Sequence, residues 1–253
     1  MSDDAPGRPL SAAANTGQDW RHTPGRVQMA ADALVFLVDV DNTLLDNDQY
    51  QNELKAYIEK KAGTEAKDRY WTIQEGLFHT LGYRDYLGAF QQYRLERPDE
   101  LDAIWLSEFV VDFAYDKLVY PGALDVLARM RAMHPTVALT DGDAVFQPRK
   151  LLRSGLAEAL QRRVVICVHK DKELARVEAA FPARHYVLVD DKIRILTACK
   201  QVWGDRLTTV FVKQGQFARD LKAIAECPTP DMTVDHIGDL LDGDILARLG
   251  AAG

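Results

Sequence analysis

The stretch LVFLVDVDNTLLDND, residues 34–48, drives an apolar run straight into a cluster of acids. Leu34, Val35, Phe36, Leu37 and Val38 are followed by Asp39, Asp41, Asp46 and Asp48. Buried charge is costly unless it is paired or bound to metal. A short run rich in Val and Leu, stopped abruptly by acids, predicts a central strand over residues 33–40 of a sheet covered on both faces. Such a strand delivers its acids to a site.

Beyond Asp46 the period becomes helical. Tyr50, Leu54, Tyr57 and Ile58 share one face, with Gly63 placed to end that helix. Leu101, Ile104, Trp105 and Phe109 repeat the pattern, and the Tyr- and Arg-dense segment between is helix-like, broken by Gly82 and Pro98. From residue 119 onward strands and helices alternate. Strands are expected at 136–140, in RRVVICVHKDK ending at His169, in RHYVLVDDK ending at Asp190, and in RLTTVFV. Alternation of this kind implies parallel pairing. The expected fold class is α/β, a doubly wound parallel sheet with an inserted all-helical block. The expected division is a loose tail over 1–31, a core of 32–46 and 119–253, and a helical insert over 47–118.

Bulk properties narrow the function. The chain has 253 residues and a formal net charge of -7, so it lacks the basic footprint of a nucleic-acid binder. The 3 cysteines, Cys167, Cys199 and Cys227, show neither CxxC nor Cys/His spacing, which argues against a disulfide framework or structural zinc and fits a reducing cytoplasm. The first thirty or so residues contain no apolar core of a secretory signal, and no run approaches the ~18 to 20 apolar residues that cross a bilayer. Neither nucleic acid nor membrane is an expected partner, and oligomeric state is not legible.

In an open parallel sheet, ligands bind outside the carboxyl ends of the strands. The predicted strand ends carry DVDNT (39–43), TDGD (140–143), His169 with Lys170, and DDK (190–192). Residues two apart on a strand point the same way, so Asp39 and Asp41 can face one ligand. Asp190 and Asp191 add charge, and crowded carboxylates repel unless a cation sits among them. Mg²⁺ suits hard carboxylate oxygens, waters and a substrate phosphate. Thr140 offers a hydroxyl, the loop with Asp141 and Gly142 offers backbone N–H groups, and Lys170 offers a point charge. Together these are the parts of a phosphoryl-transfer site.

This order of motifs resembles the haloacid dehalogenase-like superfamily, in which DxDx[TV], Thr or Ser, Lys and a paired acid lie at successive strand ends. The resemblance implies a Rossmann-like core with Asp39 as nucleophile forming an aspartyl-phosphate and Asp41 as general acid/base. It implies Mg²⁺ held by the Asp39 carboxylate, the Asp41 main-chain carbonyl and Asp191, with Asp190 as a further or water-mediated ligand. Thr140 and Lys170 would hold phosphoryl oxygens. The helical block falls where the family inserts its C1 cap, and Tyr83, Arg84, Tyr86, Tyr93 and Arg94 are its candidate substrate contacts. The implied activity is a Mg²⁺-dependent phosphatase acting on a small phosphorylated metabolite. An acid at position 41 argues against a dehalogenase, which needs no proton for its leaving halide.

Competing readings have discriminating features. DVDNT alone could be a solvated turn. An EF-hand counted from Asp39 would need Gly and Glu where Leu44 and Tyr50 stand. Lys150 and Lys172 compete with Lys170 as the phosphate lysine, and His169 is expected to pack or hydrogen-bond locally. Lys192 reads either as an ion-pair partner or as a surface residue at a helix start, and Asp143 either orients the loop or terminates the strand. A phosphomutase or phosphonatase uses the same core. A receiver-type signalling module reverses the order of acid pair and acceptor. A catalytically silent binding relative would not need every charged motif residue.

Overall fold

Alternate residues of the first strand feed opposite layers of the molecule. In β1 (Leu34–Val38) Phe36 and Val38 join one hydrophobic cluster, while Val35 and Leu37 join another across the sheet. All five residues are buried, because a central parallel strand has no solvent face. The computed structural model describes residues 34–99 and 103–251, with the backbone alone at Ala103 and Trp105. The tail expected over 1–31, the first residue of the expected strand and Leu101 lie outside the described residues.

Five further strands follow: β2 (Thr136–Asp141), β3 (Val164–Cys167), β4 (His185–Asp190), β5 (Leu207–Val212) and β6 (Met232–Val234). They form one parallel sheet of order β3-β2-β1-β4-β5-β6. The chain winds outward from β1 to β3, returns, and winds the other way from β4. The doubly wound expectation therefore holds, and the reversal falls between β1 and β4. In register, Leu34 to Val38 pair with His185 to Val189, and Asp39 extends the ladder by donating its N–H to Val189 O at 2.9 Å. That alignment sets Asp39 beside Asp190 and Asp191.

One face of the sheet is covered by α4 (Ala123–Met133), α5 (Phe146–Arg153), α6 (Leu156–Ala159) and α10 (Ile245–Gly250). The other carries α7 (Leu174–Ala180), α8 (Ile193–Trp203) and α9 (Leu221–Glu226). Two boundaries differ from the sequence expectation. β3 ends at Cys167 rather than His169, because Lys170–Lys172 turns into a tight 3₁₀ helix. β6 was not foreseen, since three residues beside Pro228 and Pro230 carry too little period to read.

Between β1 and β2 stand α1 (Asn47–Leu81), α2 (Tyr86–Glu96) and α3 (Ala103–Asp112). Gly63, at φ 88, kinks α1 where an end was expected, and helix resumes at once. Gly82, also left-handed at φ 80, closes it by donating its N–H to Phe78 O. Asp85 starts α2 by accepting the Gly88 N–H at 2.7 Å. The insert's core is aromatic: Tyr50 lies edge-on to Tyr86 and Phe113 at 5.3 and 5.2 Å, and its apolar cluster runs on into that of the sheet. The chain enters and leaves the insert side by side, with Asp46 N–H bonded to Leu118 O at 2.8 Å and Tyr120 N–H to Leu44 O at 3.0 Å. Among the described residues no helix is long and apolar enough to cross a membrane.

Candidate active site

The turn after β1 is built by Asn42, which adopts φ 61, a left-handed conformation that Asn tolerates. Its side-chain oxygen accepts the N–H groups of Asn47 and Asp48 at 3.0 and 3.1 Å, so the same residue that ends the strand turn starts α1. Gly215 backs against it, and a Cβ there would lie 2.4 Å from Asn42 Cγ. Asp39 and Asp41 are thereby held at the carboxyl edge of the sheet.

Asp39 is 2% exposed. Its Oδ1 accepts from Lys170 Nζ at 2.5 Å and its Oδ2 from the Thr43 hydroxyl at 3.3 Å. Lys170 Nζ also reaches Asp190 Oδ2 at 2.6 Å, and the Lys170 backbone N–H bonds Asp141 Oδ1 at 2.7 Å. Burial works to lower the lysine's pKa, but the Asp190 and Asp39 carboxylates outweigh it and hold the ammonium charged well above its ordinary range. Burial pushes the Asp39 carboxyl up to about 6, with Lys170 opposing and Asp190 adding to the rise. The same cause raises Asp141.

Asp190 and Asp191 divide their duties. Asp190 spends Oδ2 on Lys170 and Oδ1 on the Lys192 N–H at 2.8 Å, so both of its oxygens have donors. Asp191 is equally buried, yet neither carboxylate oxygen has a hydrogen-bond partner. Burial therefore drives its pKa well upward. A buried carboxylate without partners is unstable unless a cation completes it. Ligand oxygens of Asp39, Asp190 and Asp191 lie within 4.8 Å of one another, a spacing one ion can bridge. The donor set, all hard oxygen, fits Mg²⁺.

The geometry also separates the rival lysines. Lys150 is as fully buried as Lys170 but serves the other acid, placing Nζ 2.5 Å from Asp41 Oδ1 and 3.2 Å from Asn47 Oδ1. Gln147, three residues earlier on α5, donates to Thr140 Oγ1 at 2.8 Å and to Asp41 Oδ2 at 3.4 Å. Sequence reasoning weighed Lys150 only as a substitute for Lys170 and missed Gln147. The available signal was two polar residues at i, i+3 on a helix that must bury one face. Lys172 takes no part in this network.

Other expected residues divide. Gly142 gives its own N–H to Cys167 O at 3.0 Å, and its missing side chain admits Gln147, whose Cβ would be 3.0 Å from an added methyl. Asp143 accepts the N–H groups of Val145 and Phe146 at 2.8 and 2.7 Å and so shapes the turn into α5. His169 packs under Gly82, as expected of a local structural role. From the insert, Tyr83, Arg84 and Tyr86 line a small pocket over Asp41, Lys150 and Lys192. Arg84 is held by Gln74 and by Glu75 at 2.8 Å. Tyr93 is buried in the insert's core and Arg94 bonds Gln91 on its exterior, so neither lines this pocket. Gln51, Phe78 and Phe217, not singled out in the sequence, do.

The chain is similar to known proteins. A family profile described as haloacid dehalogenase-like hydrolase matches residues 34–202. A haloacid dehalogenase-like hydrolase from Burkholderia xenovorans LB400 is 50% identical, with 85% of this chain and 99% of that one covered at a TM-score of 0.80. A HAD-hydrolase from Bacillus subtilis, described as bound to magnesium, is 18% identical over 83% of this chain and 97% of that one, at 0.56. L-2-haloacid dehalogenase from Xanthobacter autotrophicus is 18% identical over 81% and 96%, at 0.55. The last two likenesses speak to fold alone. No curated protein matches the chain.

Proposed function

Because the chain belongs to the haloacid dehalogenase-like hydrolase family, we propose that it is a Mg²⁺-dependent phosphatase acting on a small phosphorylated metabolite. The observation that carries this reading is Asp191, whose two buried oxygens lack partners beside the Asp39 carboxylate. Asp39, Asp191 and the Asp41 carbonyl would hold the ion, with Asp190 serving chiefly to anchor Lys170. When bound, Mg²⁺ would offset the charge of the phosphoryl oxygens and of the carboxylates around them.

The chain's own residues account for the steps. An Asp39 carboxylate oxygen attacks phosphorus, forming the aspartyl-phosphate as the ester P–O bond breaks. Asp41 in its acid form gives its proton to the departing alkoxide oxygen; its carboxylate then takes a proton from the water that attacks phosphorus and frees Asp39. Lys170 and the Thr140 hydroxyl neutralise and orient the phosphoryl oxygens. Lys150 and Gln147 fix the position of Asp41.

A leaving halide needs no proton, so an acid held by its own lysine and glutamine favours phosphate esters over halogenated acids. The test is release of 4-nitrophenol from 4-nitrophenyl phosphate, set against chloride release from 2-chloropropionate. Mg²⁺-dependent nitrophenol release that EDTA abolishes and added Mg²⁺ restores is the expected result. Chloride release without metal, and no nitrophenol, would overturn it.

A further inference from the structure

The pocket over the acids contains donors with nothing to bind. Lys170 and Lys150 are each in direct contact with carboxylates, whereas Lys192 feels Asp191 and Asp39 only at longer range. Among the described residues its ammonium has no hydrogen bond or ion pair and faces the Phe217 ring at 5.0 Å. Across the pocket, Gln51 is 5% exposed and its Nε2 has no acceptor. Arg84 Nε is likewise buried without one, although Nη1 of the same group is paired with Glu75. An unmet donor in a buried position costs free energy that a ligand acceptor recovers.

Gln51 and Arg84 come from the insert and Lys192 from the core, and all three line the pocket that Asp41 and Lys150 also line. An ammonium has three donors and no acceptor, so it selects oxygen anions over neutral hydroxyls. Phe78 of α1 and Phe217 of the core approach to 6.1 Å between ring centres and both line the pocket.

We propose that this pocket selects substrates whose leaving group carries its own oxygen anion, a carboxylate or a second phosphate, bound by Lys192 and by the Gln51 and Arg84 donors of the insert. The proposal rests on the phosphatase reading for the identity of the first group, and it adds the chemical class of the second.

Binding is measured by calorimetry in Asp39→Asn protein with Mg²⁺, using pairs of matched shape. O-Phospho-lactate is set against isopropyl phosphate, and propane-1,3-diol bisphosphate against propyl phosphate, which distinguishes a carboxylate from a phosphate. The charged member of at least one pair should bind about tenfold tighter. Lys192→Met should erase that preference and Lys192→Arg should restore most of it. Should Lys192→Met fail to fold, Gln51→Leu is expected to weaken the same preference. Equal affinity within both pairs, or a preference that survives Lys192→Met, overturns the proposal. Turnover of 4-nitrophenyl phosphate by the unaltered protein reports separately on the phosphatase reading: turnover without anion preference defeats only the pocket's selectivity, and preference without turnover defeats only the chemistry.

Discussion

Lys150 Nζ sits 2.5 Å from Asp41 Oδ1, joining the middle of α5 to the turn after β1 across 109 residues of sequence. The same ammonium reaches Asn47 Oδ1 at 3.2 Å, the first residue of α1. The acid nearest the pocket is thus tied at once to the core and to the start of the insert.

Replacing Lys150 with Met should therefore lower kcat for 4-nitrophenyl phosphate by about 10- to 100-fold, because Asp41 loses the group that fixes its position. The Asp41 side chain keeps 23% exposure, so its stranded charge stays partly solvated and the loss should appear in turnover more than in Tm. Unchanged kcat in a folded Lys150→Met variant would assign Lys150 to stability alone.

Asp39→Asn should abolish turnover, by roughly 10³-fold or more, since an amide cannot serve as the nucleophile. Circular dichroism and thermal melting should show a folded chain. Appreciable turnover in this variant would place the nucleophile elsewhere.

Asp191→Asn removes a buried charge that lacks hydrogen-bond partners. Without metal the variant should be more stable than the parent by about 1 to 3 kcal/mol, and it should lose the stabilisation that Mg²⁺ gives the parent. Urea melts with and without MgCl₂ measure both effects. A metal-free variant less stable than the parent would mean that Asp191 is satisfied by the protein itself.

The pH dependence follows from Asp39. Its folded-state pKa, about 6, exceeds the ordinary 3.8, so proton uptake stabilises the metal-free fold fully below 3.8 and that contribution is lost as pH rises through about 6. Asp191 is shifted in the same direction. A cation must displace these protons, so saturating Mg²⁺ should raise Tm by about 3 to 8 °C near pH 7.5 and by little near pH 5. Scanning calorimetry at the two pH values measures it; an equal shift at both would remove Asp39 and Asp191 from the ion's ligands.

Gly82→Ala tests the support beneath the insert. Gly82 is left-handed and its added methyl would fall 2.5 Å from His169 Cε1. Strain and displacement together should cost about 1 to 3 kcal/mol. Pairing it with His169→Ala should recover part of the loss, which a double-mutant cycle in urea detects.

The skeleton of the site was legible because each motif is local. A strand end, a polar cluster and the rule that ligands collect at carboxyl edges are enough to bring Asp39, Lys170, Asp190 and Asp191 together. What escaped is what depends on tertiary distance. Lys150 and Gln147 look like ordinary polar residues until α5 is laid against the first turn. Asn42 and Gly215 interlock across more than half the chain, which no local spacing announces. Gly142 marks an approachable loop in the sequence, but that its own N–H goes to Cys167 depends on β3 lying beside it. The division between Asp190 and Asp191 is likewise invisible in a repeated residue; it depends on which carboxylate Lys170 reaches.

The contact between Asp46 and Leu118 makes the two ends of the helical insert neighbours. An insertion whose entry and exit coincide can change its outer helices without moving the strands it interrupts. Any exchange must keep Asn47 and Tyr86, however, because Lys150 and Phe146 of the framework lean on them.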